Sequence, residues 1–149
     1  MIALIQRAKS GSVTIGDQKY SEIGQGMVIL LGVIEKDTDS EIDKLVEKII
    51  NLRIFADQDG KMNLSILDTK GEILAVSQFT LAADLKKGRR PSFINAKEPI
   101  EAKRLYELFV ESLRKQNIKV ETGEFGANMQ VTLVNDGPVT IIVDTQKLN

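Results

Sequence analysis

The sequence predicts a mixed α+β fold, one domain in which layered β-sheets carry two main helices. Three observations lead there. Apolar runs of strand length, residues 27–33 and 73–76 among them, recur along the chain between glycine-rich or polar turns. Two longer segments, opening at Thr38 and at Pro99, instead repeat apolar residues every three or four positions. The order is strands, helix, strands, helix, strands, without internal repeat, low-complexity tract or linker, and 149 residues suffice for one domain with a substantial core.

Residues 2–8 and 12–15 read as two short strands around Lys9-Ser10-Gly11, and residues 20–23 continue a hairpin after Gly16-Asp17. Residues 26–33, apolar on both faces, read as a central strand. Thr38-Asp39-Ser40-Glu41 predicts a capping box, with Thr38 accepting from the Glu41 N–H and Glu41 reaching back. Ile42, Leu45, Val46, Ile49 and Leu52 then form the core-facing stripe of the first helix. Residues 53–56 form a short strand entering Asp57-Gln58-Asp59-Gly60, a turn that imitates a calcium loop but fails its spacing. With Gly60 at the loop glycine, the first ligand position falls on Phe55 and the bidentate acid position on Ile66. Residues 63–67 and 72–81 are the next strands. Pro99 opens the second helix, where its missing N–H costs nothing, and Ala102, Leu105, Leu108, Phe109 and Ser112 or Leu113 face inward. Residues 119–122, 129–134 and 139–144 close the chain as strands, with Asn135-Asp136-Gly137-Pro138 as the turn between the last two.

Composition narrows the chemistry. The net charge of −1 gives no global mark of a nucleic-acid binder, so an RNA site must be a local patch, and no DNA partner is expected. Cysteine, histidine and tryptophan are all absent, which removes disulfides, the common zinc sites and every mechanism that uses imidazole as base. No metal or other cofactor is expected. An enzyme built from this chain works with Ser, Thr, Lys, carboxylates, backbone dipoles or a group on its substrate. No signal-peptide pattern or membrane-length apolar run is present, and the expectation is a cytoplasmic protein without a membrane partner.

The candidate site centres on Ser77-Gln78-Phe79-Thr80-Leu81. A strand buried on both faces, residues 73–76, turns polar at its C-terminal end and delivers hydroxyls, an amide and backbone N–H groups there. Lys86, Lys87, Arg89 and Arg90 follow in a loop suited to a polyanion; alternatively they are a solvated charged loop behind an ordinary strand end. In the second constellation, Asn135-Asp136-Gly137-Pro138-Val139-Thr140, the Gly-Pro pair presents carbonyl oxygens with little steric cover, and its peptide bond is one of the few that can be cis.

Together these stretches resemble the motif pair of the D-aminoacyl-tRNA deacylases, first described as D-tyrosyl-tRNA deacylases. The resemblance runs from near residue 2 to near residue 144. It includes Gln6-Arg7, Asn51-Leu52-Arg53-Ile54-Phe55, Lys61-Met62-Asn63, Gly88-Arg89-Arg90-Pro91-Ser92-Phe93, Val120-Glu121-Thr122-Gly123 and Phe125-Gly126-Ala127. Leu85, Ile94 and Asn95 depart from it, outside both motifs. It implies a homodimer with two sites at the subunit interface and aminoacylated tRNA as the partner. Ser77, Gln78, Phe79 and Thr80 would line the pocket for the aminoacyl group, Gly137 and Pro138 would enter from the other subunit, with their bond in cis, and Met129 would sit near the terminal adenine. Lys86, Lys87, Arg89 and Arg90 would meet acceptor-stem phosphates. The implied reaction is hydrolysis of the ester of D-aminoacyl-tRNA, a chiral proofreading step in translation. The Phe79 and Thr80 N–H groups would be oxyanion donors and the tRNA 2′-hydroxyl would assist, in preference to Thr80 as nucleophile. Chiral selection by exclusion at Gly137 and Pro138 implies that glycyl-tRNA is also cleaved. A non-enzymatic RNA-binding module and a hydrolase of small D-aminoacyl esters or peptides that uses Thr80 directly are the alternatives.

Overall fold

The computed structural model describes residues 1–148. The chain opens with strands β1 (Ile2–Ile15), β2 (Gln18–Ile23) and β3 (Gly26–Gly32), followed by helix α1 (Ser40–Ile50). A small hairpin, β4 (Phe55–Ala56) and β5 (Met62–Leu64), precedes the one-turn helix α2 (Ile66–Thr69) and strand β6 (Glu72–Ser77). A 3-10 turn over Phe79–Ala82, helix α3 (Pro99–Arg114), strands β7 (Val120–Thr122) and β8 (Gln130–Asp144) and a last 3-10 turn, Thr145–Lys147, complete it. The class is the predicted mixed α+β.

One curled sheet replaces the expected layers. β1 is a single strand rather than two, because Lys9 is absorbed as a bulge where the register against β8 steps from Ala8↔Asn135 to Ser10↔Val134. Its first half pairs antiparallel with β3 and its second half with β2, while β8 runs along its other edge. β6 and β7 extend the sheet in parallel beyond β3. Ser21 Oγ then donates to the Thr122 carbonyl at 2.6 Å, tying β2 to β7 so that the sheet nearly closes. A strand that changes partners halfway along its length bends the sheet around itself, and two cores result. Ala8, Val13, Ile23, Val28, Leu74 and Val76 fill the inside of the curl. The alternate residues of the same strands, Ala3, Ile5, Met27, Ile29, Leu31, Ile73 and Ala75, pack outward under Leu45 and Ile49 of α1 and Leu105, Phe109 and Leu113 of α3. The apolar run at residues 27–31 is thus explained by burial on both faces.

Five local expectations are corrected. At α1 only half of the capping box forms: Glu41 accepts from the Thr38 N–H at 2.7 Å, but the Thr38 hydroxyl donates to that carboxylate instead of capping the Glu41 N–H. The complete box lies at Ser65 and Asp68, which starts α2 inside the segment expected to be a strand, and Lys70 ends it at φ 53°. The short strand before the Asp57 turn shrinks to Phe55–Ala56, and β6 stops at Ser77, so Phe79–Leu81 belongs to the 3-10 turn. Finally, Asn135–Pro138 does not join two strands but bulges out of one, β8.

Candidate active site

β6 is the buried parallel strand from which the first constellation grows, and its last ladder contact is the Gln78 N–H donating to the Leu31 carbonyl at 2.7 Å. The chain then coils into the 3-10 turn, closed by the Leu81 N–H on the Gln78 carbonyl at 3.2 Å and the Ala83 N–H on the Thr80 carbonyl at 3.1 Å. The Phe79 and Thr80 N–H groups precede the first of these bonds and have no partner within the turn. Two backbone donors, fixed by a rigid strand behind them, thus stand at an exposed surface beside the half-buried Ser77 and Gln78. The Thr80 hydroxyl is engaged by the Gln78 side-chain amide. An amide is no base whichever way it is turned, so nothing in this contact activates Thr80 as a nucleophile.

From the helix side, Tyr106 holds the same strand. Its buried hydroxyl donates to the Ala75 carbonyl at 2.8 Å, and its ring packs against Phe125 with centroids 5.9 Å apart. Burial pushes the phenol up to about 12, so it remains a donor at neutral pH. Met129 is half-buried against the inner core, and its sulfur crowds the point where a Cβ on Gly123 would be. The same point is 3.7 Å from Val76, so Met129 stands beside the end of β6.

The basic loop is anchored to this turn. Asp84 and Ser92 pair through two backbone hydrogen bonds, 2.7 and 3.0 Å, and the intervening residues project as an exposed excursion with Gly88 at φ 74°. Among the described residues, Lys86, Lys87, Arg89 and Arg90 form no ion pair. Just past the pair, Phe93 meets the exposed ring of Phe79 edge-on at 4.9 Å, which ties the loop's return to the turn. Among the described residues, no group of three or more Asp, Glu, His or Cys side chains is placed to hold a metal.

The second constellation is built differently. Thr140 pairs with Gln6 and Asn135 with Ala8, so four residues, 136–139, stand opposite the single Arg7. The Asn135 side chain closes the base of this loop, with Oδ1 accepting from the Val139 N–H at 3.1 Å and Nδ2 donating to the Val139 carbonyl at 3.0 Å. Arg7 holds its wall: Nε donates to the Asp136 carbonyl at 2.9 Å and Nη1 to the Ile54 carbonyl at 2.6 Å. The Gly137–Pro138 bond is cis. Gly137 sits at φ 143°, and a Cβ there would lie 2.7 Å from Val139 Cγ2 and 3.2 Å from Arg7 Nη2, so only glycine fits. Arg7, Tyr106 and Asn135 are residues that sequence reasoning gave no role; a lone arginine within an apolar strand was the available signal for the first.

The two constellations do not meet within one chain. Arg7 is level with Met27, whereas Ser77 is level with Leu31 at the other end of β3. Four residues of strand correspond to about 13 Å along the sheet, before the three strand spacings between β8 and β6 are added.

Comparison with known proteins gives the family. The sequence profile of D-Tyr-tRNA(Tyr) deacylase matches residues 4–144. The chain belongs to this family. Members named D-aminoacyl-tRNA deacylase from Thermosipho melanesiensis and Persephonella marina are 55% and 56% identical, covering 99% of this chain and 99% and 100% of theirs. A solved structure described as c-Myc DNA Unwinding Element Binding Protein superposes with a TM-score of 0.91 at 44% identity, over 97% of this chain and 98% of that one. A second, described as a probable eukaryotic D-amino acid tRNA deacylase, has a TM-score of 0.84 at 18% identity over 95% and 97% of the two chains, a likeness of fold alone. As a member of this deacylase family the chain is a hydrolytic enzyme.

Proposed function

We propose that the chain hydrolyses the ester of D-aminoacyl-tRNA, releasing the free D-amino acid and the tRNA, and so removes the wrong enantiomer from translation. The observation that carries the reading is the pair of unengaged N–H groups at Phe79 and Thr80, in a family member without histidine or cysteine. An aminoacyl ester is already labile. Water adds to its carbonyl carbon, the oxyanion that forms takes hydrogen bonds from the two backbone donors, and the ester C–O bond then breaks as the ribose oxygen leaves with a proton. The neighbouring 2′-hydroxyl of the tRNA orients the water and passes the proton, a task for which the Thr80 hydroxyl, held by Gln78, is not needed. Ser77 and Gln78 bind the aminoacyl group and Met129 borders the adenine.

The separation of the two constellations supports a homodimer, in which Gly137 and Pro138 complete the partner's pocket instead of their own. There a backbone without side-chain cover, held by Arg7 and Asn135, lies close to the substrate α-carbon and leaves no room for an L side chain. Glycine has no side chain to clash, so glycyl-tRNA is cleaved as well. Lys86, Lys87, Arg89 and Arg90 bind acceptor-stem phosphates beside the turn; neutralising two of them raises KM and reduces the salt slope by about one unit for each phosphate no longer neutralised. The single domain spans residues 1–149 and works in the cytoplasm without metal.

The test follows amino-acid release from D-tyrosyl-, L-tyrosyl-, glycyl-, D-alanyl- and L-alanyl-tRNA and from a D-tyrosine alkyl ester. Release from the D-aminoacyl-tRNAs and glycyl-tRNA, with sparing of both L forms, is expected. Binding without release would instead support an RNA- or DNA-binding module, the latter being the activity for which the 44% identical solved protein is named. Equal cleavage of the alkyl ester would return the chemistry to Thr80, and sparing of glycyl-tRNA would mean that the pocket grips the D side chain.

A further inference from the structure

We propose that Gly32 is a positioning residue for the hydrolysis, because it is the seat on which the oxyanion turn rests; the inference builds on the deacylase reading of that turn. Gly32 ends β3, one residue beyond the Leu31 carbonyl that receives the Gln78 N–H. The 3-10 turn folds back directly over it. A Cβ on Gly32 would lie 2.9 Å from Leu81 Cβ and 3.1 Å from the Gln78 carbonyl oxygen, with Leu81 Cδ1 at 3.6 Å. The first two are not the free ends of flexible side chains. One is a main-chain oxygen and the other an atom fixed to the main chain, so an added methyl is relieved only by moving the turn.

The requirement at this position is space and not backbone conformation, since Gly32 is not among the glycines of positive φ. The oxygen it would press on is the acceptor of the Leu81 N–H, the bond that closes the turn. Displacing that oxygen displaces the Phe79 and Thr80 N–H groups that follow it in the chain. Donors must stand about 2.7–3.1 Å from the developing oxyanion, and a shift of a few tenths of an ångström takes them out of that range. The atoms nearest to that Cβ belong to Gln78 and Leu81 and to none of the basic side chains of the loop, so the effect of Gly32 falls on the rate of the chemical step before it falls on tRNA affinity.

The experiment compares Gly32→Ala with Gly11→Ala in the full-length enzyme, measuring kcat and KM on D-tyrosyl-tRNA together with the melting temperature. Gly11 is approached as closely, its Cβ position being 2.9 Å from Val28 Cγ2, but by side-chain atoms inside the sheet rather than by the turn. For Gly32→Ala, kcat falls about ten-fold with KM within two-fold of wild type, in keeping with the cost of about 100-fold for a full 1 Å misplacement. For Gly11→Ala the melting temperature falls and kcat does not. Should Gly32→Ala not fold, Leu81→Ala, which keeps the Leu81 Cβ but removes the Cδ1 that packs 3.6 Å from the same point and helps seat the turn on Gly32, is the deciding variant; its kcat falls several-fold at unchanged KM. A folded Gly32→Ala with wild-type kcat, or a wild-type kcat from Leu81→Ala in that second case, overturns the proposal while leaving the deacylase reading intact. A wild-type protein that releases no D-amino acid overturns both.

Discussion

The Ser77–Thr80 turn and the Asn135–Pro138 loop are held by opposite means. The turn continues a strand whose side chains, from Ile73 to Val76, are buried on both faces, and its donors are fixed by main-chain ladder bonds and backbone packing. The loop rises from an edge strand, exposed at Gly137 and Pro138, and its shape depends on two polar side chains, Arg7 and Asn135. On the proposed reading, a catalytic donor serves every substrate alike and can be supported by the common backbone, whereas a chiral wall has to stand proud of the sheet to reach a substrate, where no ladder can hold it, and so needs side-chain struts.

The largest effect expected from that difference belongs to Arg7→Met. The apolar stem is kept, while the Asp136 and Ile54 carbonyls lose their donor and the loop is freed. The ratio of kcat/KM for D- over L-tyrosyl-tRNA should fall by about 100-fold, as for a group displaced by about 1 Å. An unchanged ratio would show that the loop holds its shape without the strut, and that turn and loop do not differ in what supports them.

Asn135→Ala should do less, because Arg7 still grips the loop. Its cost is the Val139 N–H and carbonyl left without partners, about 1–3 kcal/mol of stability where they stay dry. Thermal unfolding measures it, and a loss well below that range would mean that water replaces the side chain.

Acidification should separate stability from selectivity, and at neutral pH it has no effect. Several carboxylates are held below their ordinary range: Glu41 by the Thr38 N–H, Asp68 by the Ser65 N–H, Glu72 by the Gly24 N–H, and Asp39 and Glu101 by the Arg104 guanidinium. A depressed folded-state pKa contributes stability that is present above the unfolded value and lost as the pH falls through the folded one. The melting temperature should therefore stay level through neutrality and drop below about pH 4. All five lie at helix starts or strand edges, away from both the turn and the loop. The preference for D over L should persist while the protein remains folded; a preference that decays ahead of the melting temperature would tie the loop to this acid transition.

The sequence by itself determined what depends on near neighbours. The mixed α+β class, both main helices and most of their buried stripes (Leu52 falls beyond α1, and Tyr106 and Val110 went unmarked), the double-faced strands β3 and β6, and the absence of imidazole and thiol chemistry follow from periodicity and composition alone. Its errors fall where a distant partner decided the outcome. Lys9-Ser10-Gly11 looks like a break, yet β8 pairs on both sides of it and carries the strand through with a bulge. Asn135-Asp136-Gly137-Pro138 has every residue of a hairpin turn, but β1 runs past it on both sides and turns it into an excursion from one strand. One error is local: Ser65 and Asp68 form the full capping box while Thr38 and Glu41 form half of one, because the Glu41 N–H bonds the Thr38 carbonyl instead of its hydroxyl. Arg7 gains its role only when β1 and β8 come together, and Gly32 only when the turn after β6 folds back over the end of β3, since a hydrogen-bond partner more than a hundred residues away and the space above a glycine exist only in the folded chain.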